Sequence, residues 1–494
     1  MKYMPSRSSR IFFGLTALIA LPSCAPLNKT VDATQLKTQP PNIIVILADD
    51  LGYADVSTYQ KGRIPTPNID EIGKRGVVFT QGYVSAPICS PSRAALMTGR
   101  HQQRFGFEYN NGPGTLDRRD RRGLAVGERT IADILKARGY RTGAIGKWHL
   151  GWNDEHYPTN RGFDHFWGSL TGQTNFIRPD APEAVNAYEP SKPGDDRVIA
   201  QPYLVVGETE QIVQGPHREP VSLGDFHLTD VMTEKAIEFI ESSKGQPFFL
   251  YLAHNAPHTP LQTTRKYYNR FPNIKNKDQR VYAAMVSALD DSVGGVLAYL
   301  KTTGAFDNTI VVFLSDNGCA AYIEGLCSPE PLSGGKLTYD EGGIRVPFLM
   351  QWPARLKAGT IYNEPVSSMD ILPTVAAATG ASLPTDRAYD GFDLIRQITR
   401  KDFSERPALF WRTQPIEAIL EGDWKYRRDY DGEEFLYNLK SDPREQSNVI
   451  KKYPQVATRL KAAYSRWQSE MVAPSWAPRY EEYSFNGKTY KFRP

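Results

Sequence analysis

Asp49-Asp50 and Asp316-Asn317 each follow an apolar, β-branched run, Asn42 to Ala48 in one case and Thr309 to Leu314 in the other. Three carboxylates and a carboxamide offer only oxygen, which suits a hard divalent cation, Ca²⁺ or Mg²⁺. Asp pairs in such places also serve turns and helix caps, so this pattern alone leaves both readings open. A third feature is Cys89-Ser90-Pro91-Ser92-Arg93, in which Arg93 lies one helical turn after Cys89 if a helix begins there. Lys147 and His149 flank Trp148. In extended chain, residues at that spacing project to the same side.

Such side chains need rigid elements to bring them together. A third apolar run, Pro247 to Ala253, precedes the polar stretch His254 to Pro260. Helix-length segments lie between the runs, for example Thr130 to Arg138 and Arg280 to Thr302. Strands alternating with helices predict an α/β fold, a large and mostly parallel sheet with helices on both faces. Ligands of such sheets bind beyond the carboxyl ends of the strands, where these polar clusters begin. Further on, Ile416 to Leu439 alternates short strand-like pieces with the turns Glu421-Gly422-Asp423 and Asp431-Gly432. That pattern predicts an antiparallel sheet, followed by a helix around Gln455 to Glu470. A boundary near 395 divides a catalytic domain, 41–395, from a smaller α+β domain, 396–494. Residues 178–222, rich in Pro, Gly and charge, read as a surface excursion that could form a rim of the pocket.

The segment Cys89-Ser90-Pro91-Ser92-Arg93-Ala94-Ala95-Leu96-Met97-Thr98-Gly99 resembles the signature of the type I sulfatases of the alkaline phosphatase superfamily. A second signature of that family is similar to Gly139-Tyr140-Arg141-Thr142 leading to Gly146-Lys147-Trp148-His149-Leu150-Gly151. The resemblance runs from about Pro41 to Asn448 and includes Leu436-Tyr437-Asn438-Leu439 and Asp442-Pro443. It implies an alkaline phosphatase-like fold and hydrolysis of sulfate esters. It also implies that a maturation enzyme oxidises Cys89 to the aldehyde formylglycine. A hydrated aldehyde carries two hydroxyls on one carbon: one attacks sulfur, and the other expels sulfate as the aldehyde reforms. By the same resemblance Asp49, Asp50, Asp316, Asn317 and the modified Cys89 hold Ca²⁺, with Mg²⁺ the lesser candidate. Arg93 holds the hydrate and the carboxylates, Lys147 the sulfate, and His149 takes the proton that triggers sulfate release. His258, in Pro257-His258-Thr259-Pro260-Leu261, and Lys336, in Gly334-Gly335-Lys336, match the family's second histidine and lysine, which bind sulfate and protonate the leaving alcohol. Gln173 and Asn175 are candidates for contact with the substrate. A phosphodiesterase or phosphonate monoester hydrolase of the same superfamily is the alternative enzyme. An inactive binder of sulfated glycans is the alternative without turnover.

The N-terminus carries Lys2, Arg7 and Arg10, then the apolar run Ile11 to Leu21, too short to span a bilayer. It reads as a secretory signal, residues 1–24, ending in Leu21-Pro22-Ser23-Cys24. Lipidation of Cys24, with 25–40 as a tether, and plain signal cleavage are the two readings. Either predicts export to the periplasm or cell envelope, with any membrane attachment through the N-terminal lipid alone. No later segment reads as a membrane span. The four cysteines, Cys24, Cys89, Cys319 and Cys327, include no C-x-x-C pair, which excludes a disulfide scaffold or zinc cluster. Cys319 and Cys327 either bridge or remain thiols. A net charge of +4 over 494 residues gives no argument for nucleic acid. The run Asp117 to Arg122 is an exposed charged loop or a grip on extra sulfates. The expected partners are a sulfated oligosaccharide or polysaccharide, algal or glycosaminoglycan, and the maturation enzyme.

Overall fold

The computed structural model describes residues 39–61, 63–111, 120–187, 212–323, 325–400 and 406–477, with two short strands beyond them. Cys24, most of the 25–40 tether, Asp117 to Arg119 and the middle of the 178–222 excursion lie outside the described residues.

A ten-stranded sheet forms the framework. Its strands are β1 (Asn42–Ala48), β2 (Val77–Phe79), β3 (Arg141–Gly146), β4 (His165–Gly168), β5 (Ile212–Gln214), β6 (Glu219–Val221), β7 (Phe248–Ala253), β8 (Thr309–Ser315), β9 (Phe348–Gln351) and β10 (Thr360–Tyr362). Their spatial order is β10-β2-β9-β8-β1-β7-β3-β4-β5-β6. The five central strands, β8-β1-β7-β3-β4, run parallel. Towards both margins the pairings β8–β9, β9–β2, β4–β5 and β5–β6 are antiparallel. The sheet is therefore mixed, with its parallel part built on the buried apolar runs of β1, β7 and β8. Short flanking strands such as β2 carry too little sequence to announce their direction.

Alternation along β1 sorts the core into two layers. Ile44 and Ile46 join one cluster with Met232, Met285 and Leu289. Ile43, Val45 and Leu47 join the other with Leu96, Ile131 and Leu372. Helices α1 (Pro67–Arg75), α4 (Leu228–Ser242) and α5 (Lys277–Thr302) supply the first layer, and α2 (Cys89–Thr98), α3 (Ile131–Ala137) and α7 (Ile371–Thr379) the second. A short helix, α6 (Glu341–Ile344), precedes β9. By length and composition α5 could cross a membrane. Here it is a core helix, with Val281, Met285, Leu289, Val293 and Leu300 buried against the sheet layer. The Asp290-Asp291 pair on it divides: Asp290 accepts from the backbone N–H groups of Asn68 and Ile69, capping α1, and Asp291 pairs with Arg270 at the surface.

A second, antiparallel sheet comprises β11 (Leu409–Thr413), β12 (Ile416–Glu421), β13 (Trp424–Arg428) and β14 (Glu434–Asn438) in sequential order. One face packs on helix α8 (Pro454–Gln468) through Ile419, Tyr426, Leu436, Leu460 and Trp467. The other packs on Tyr83, Ile344 and Val346 through Trp411, Leu420 and Tyr437.

Candidate active site

Register brings the strand ends level. Ala48 of β1 pairs with Ser315 of β8, and Ala253 of β7 pairs with Gly146 of β3. The residues that follow, Asp49-Asp50, Asp316-Asn317, His254 to His258 and Lys147 to His149, therefore leave the sheet at one edge. Asp50 N–H donates to Asp316 Oδ1 at 3.3 Å, and Asn317 Nδ2 donates to Asp50 Oδ1 at 2.7 Å. Asp50 has φ 65°, a left-handed turn that folds the pair back over the strand ends.

Helix α2 starts at Cys89, as the spacing to Arg93 requires, and its whole length is buried. Cys89 Sγ lies 3.5 Å from Asp49 Oδ1. One turn on, Arg93 donates through Nε to Asp316 Oδ2 at 2.8 Å and through Nη1 to the Lys147 carbonyl at 2.9 Å. Lys147 Nζ is 2.6 Å from Asp49 Oδ2, and Lys336 Nζ is 2.8 Å from Asp50 Oδ2. His258 Nε2 stands 3.1 Å from Lys336 Nζ, while its Nδ1 faces the Thr259 carbonyl at 2.6 Å. Gln173 Nε2 reaches Thr259 Oγ1 at 3.3 Å, which puts it beside the histidine loop. Asn175 is half-buried two residues along the same segment.

His149 also faces this cluster, but not by strand alternation with Lys147. Its φ is +56°, so a left-handed kink just past β3, rather than extended chain, turns the imidazole inward. Both its ring nitrogens are buried without a hydrogen-bond partner, as is Asn317 Oδ1. Buried polar atoms are seldom left in this state, and where they converge they mark a place for a ligand.

Ligand atoms of Asp49, Asp50, Cys89 and His258 all lie within 4.8 Å of one another. Asp316 is turned towards Arg93 and the Asp50 N–H instead. Carboxylate oxygens and the orphaned Asn317 Oδ1 form a donor set that fits a hard divalent cation. Electrostatics set these groups apart from ordinary ones. Although burial opposes it, Lys336, then His258 and Lys147, hold Asp50 down at about 2. Burial, then Asp49, push Asp316 up to about 6 against Arg93. Burial, then the charge of Lys147, hold His149 well below the usual imidazole range. Burial pushes the unmodified Cys89 thiol well up, so as a bare thiol it is a poor nucleophile.

Three further buried histidines, His254, His101 and His227, make structural contacts. His254 meets Ser292 Oγ at 3.2 Å beneath the sheet, His101 packs on Trp467, and His227 lies between Phe176 and Tyr267. Cys319 and Cys327 form a disulfide. Of the charged run, Arg122 pairs with Asp120 and Arg121 with Glu155 at the surface. Two supporting groups carry no sequence signal. Asn110 and Asn111 hold Ser90, beside Cys89, through its N–H at 3.0 Å and its Oγ at 3.1 Å. Tyr251 is buried beside Arg93. Asn110-Asn111 precedes Gly112-Pro113 and reads as a turn, and Tyr251 is one apolar-looking member of a strand, so neither gave a signal.

An acid-and-amide cluster at the sheet edge, with a helix-borne cysteine and several buried cations around it, defines a hydrolase of anionic esters. The chain belongs to the sulfatase family: residues 41–381 match that family and residues 335–470 match the N-sulphoglucosamine sulphohydrolase C-terminal family. It is similar to N-acetylgalactosamine-6-sulfatase of Sus scrofa, 33% identical over 398 residues, covering 78% of this chain and 71% of that one. Arylsulfatase G of Canis lupus familiaris is 34% identical over 403 residues, with coverage of 78% and 71%. Among solved structures, Ps i-CgsB in complex with k-i-k-neocarrahexaose superposes with a TM-score of 0.78 at 35% identity, covering 89% of this chain and 95% of that one. The fold is alkaline phosphatase-like, and the chain is a sulfuric ester hydrolase of a family that generally uses formylglycine and a divalent metal.

Proposed function

We propose that this protein is an exported, Ca²⁺-dependent sulfatase that removes sulfate from sulfated oligosaccharides after Cys89 has been converted to formylglycine. The observation that carries the reading is His149, whose two buried ring nitrogens have no partner and which shares the pocket with Lys147, Lys336 and Arg93. A sulfate ester entering there meets fixed cations and an imidazole able to exchange a proton. The relatives favour carbohydrate: one is a sulfatase of N-acetylgalactosamine 6-sulfate by name, and another was solved with a neocarrahexaose.

In this reading the hydrated aldehyde supplies the hydroxyl that attacks sulfur and a second that expels sulfate. A cation held by Asp49, Asp50, Asp316, Asn317 and the residue at 89 would lower the pKa of the attacking hydroxyl and grip a sulfate oxygen. Three carboxylates and a carboxamide favour Ca²⁺, because Mg²⁺ keeps more of its water. Arg93, fixed by Asp316 and the Lys147 carbonyl, orients residue 89 from one turn away. Lys147 grips the sulfate, and His149 accepts the proton whose removal lets sulfate depart. His258 and Lys336, 3.1 Å apart, would supply the proton to the departing alcohol. Gln173, bonded to Thr259, contacts the sugar, with Asn175 beside it. The Cys319–Cys327 disulfide supports export, since such bridges persist in oxidising compartments. The N-terminal signal with Cys24 extends the proposal to lipid anchoring in the cell envelope, and the conversion of Cys89 requires a maturation enzyme as a partner.

The test is sulfate release from a panel of desalted sulfated oligosaccharides, run beside matched phosphate and phosphonate esters with Ca²⁺ present. Release from a sugar sulfate at least a hundredfold faster than from any phosphorus ester is expected. A preference for the phosphorus esters overturns the reading.

A further inference from the structure

Lys336 lies in a loop that the C-terminal sheet holds from its far side. The loop is tied to the metal-site strand by its backbone: Lys336 N–H donates to the Cys319 carbonyl at 2.8 Å, and Gly318 N–H donates to the Gly343 carbonyl at 3.0 Å. A Cβ on Gly343 would lie 2.0 Å from the Thr338 oxygen, and one on Gly318 would lie 1.8 Å from the Gly342 oxygen. Backbone therefore packs directly on backbone between Lys336, helix α6 and the residue after Asn317, and a shift at α6 has little room to be absorbed on the way.

Helix α6 begins with Asp340-Glu341, five residues past Lys336 at Glu341. Both carboxylates are gripped by β13. Lys425 Nζ is 2.9 Å from Glu341 Oε1, and Arg427 pairs with Asp340. Tyr83 OH donates to Glu341 Oε2 at 2.7 Å. Glu445 closes the cluster, accepting from the Glu341 N–H at 2.6 Å and facing Lys425 Nζ at 2.9 Å. Lys425 and Glu341 are both fully buried. Burial opposes charge on Glu341, but Lys425 and then Arg345 hold its carboxyl below the usual range. Lys425 and Arg427 alternate with Tyr426 along β13, so they share the face that packs on the catalytic part. Ion pairs buried in that face are a poor choice for stability, because well-packed apolar residues often do as well. What it adds is direction, since it fixes where α6 begins.

We infer that Lys425 is a positioning residue for catalysis: through Glu341 it sets the loop that carries Lys336, so the C-terminal sheet tunes proton delivery to the departing alcohol. The inference rests on the proposed role of Lys336 and His258 at the leaving group. That role gives a readout that a merely structural residue would not move. A sugar alcohol needs the proton as it leaves, whereas 4-nitrophenolate hardly does.

The experiment compares kcat/KM on the preferred sugar sulfate with kcat/KM on 4-nitrophenyl sulfate for wild type, Lys336→Met, Lys425→Met and Glu341→Gln. Lys336→Met is expected to lower the sugar-to-aryl ratio at least tenfold, Lys425→Met to lower it in the same sense, and Glu341→Gln to do so by less. Glu341→Gln keeps the size and one acceptor oxygen for Lys425, so it carries the test if Lys425→Met does not fold. A lowered ratio in Lys336→Met with an unchanged ratio in both Lys425→Met and Glu341→Gln overturns this inference alone. An unchanged ratio in Lys336→Met overturns the leaving-group role and the inference with it.

Discussion

Two buried clusters in this molecule hold similar inventories. At the sheet edge Asp49, Asp50 and Asp316 face Arg93, Lys147 and Lys336. Beneath the C-terminal sheet Asp340, Glu341 and Glu445 face Lys425, Arg427 and Arg345. In the second cluster both oxygens of Glu341 are taken, one by Lys425 and one by the Tyr83 hydroxyl, and no histidine intrudes. In the first, His149 and Asn317 Oδ1 are left without partners although both are buried. Charge content thus does not separate a catalytic cluster from a structural one. What separates these two is an imidazole and a carboxamide oxygen free to meet a ligand in the first, against carboxylates that each face a cation in the second.

Substitutions that tell the two clusters apart should act on different observables. Cys89→Ala is expected to lower kcat by about 10⁴-fold or more while leaving the melting temperature near that of wild type, since it removes the proposed nucleophile alone. Steady-state kinetics with a thermal melt checks both halves. His149→Ala is expected to lower kcat by roughly 10²- to 10⁴-fold. Its stability should change by no more than about 1 kcal/mol, because no hydrogen bond is lost and alanine keeps the Cβ that the positive φ already accommodates. Lys425→Met breaks a pair in the closed cluster and should remove about 3 to 5 kcal/mol of stability, read by denaturant unfolding. If His149→Ala unfolds the protein and Lys425→Met does not, the contrast between open and closed clusters is wrong.

A smaller effect comes from outside both clusters. Burial lowers His227 to about 4 from an ordinary 6.5, so the fold holds it neutral. The unfolded chain protonates first as pH falls, and the stability that neutral His227 contributes is present above pH 6.5 and lost between there and about 4. At about 1.4 kcal/mol per pH unit this is on the order of 3 kcal/mol. His101, also lowered to about 4, adds to the same window. Melting temperatures across pH 4 to 7 should fall towards acid, and His227→Phe should flatten part of that slope.

Much of the site was legible in the sequence, because it sits where strong patterns end. Continuous β-branched runs announce β1 and β8, and the polar residues just past them, Asp49-Asp50 and Asp316-Asn317, have nowhere to go but the sheet edge. The Cys89 to Gly99 signature forms a helix as its spacing indicates. What was not legible depended on tertiary choices. The inward turn of His149 comes from a left-handed φ that no local residue pattern announces. The Cys319–Cys327 pairing needed the loop's path rather than its spacing. Lys425 looked like one charge in a hairpin, since its partner Glu341 lies 84 residues away. The flanking strands β2, β9 and β10 are three to four residues long, and their directions follow from packing rather than from pattern.

The central claim is that turnover belongs to an aldehyde at position 89, and titrating the aldehyde tests it most directly. Protein made with graded amounts of a formylglycine-generating enzyme would be assayed for sulfate release from its best sugar substrate. The mass of the peptide carrying residue 89 would give the aldehyde fraction of each batch. The account predicts that kcat per chain rises in proportion to that fraction and extrapolates to zero where residue 89 is all cysteine. A rate independent of the aldehyde fraction, or an intercept close to the full rate, would contradict it.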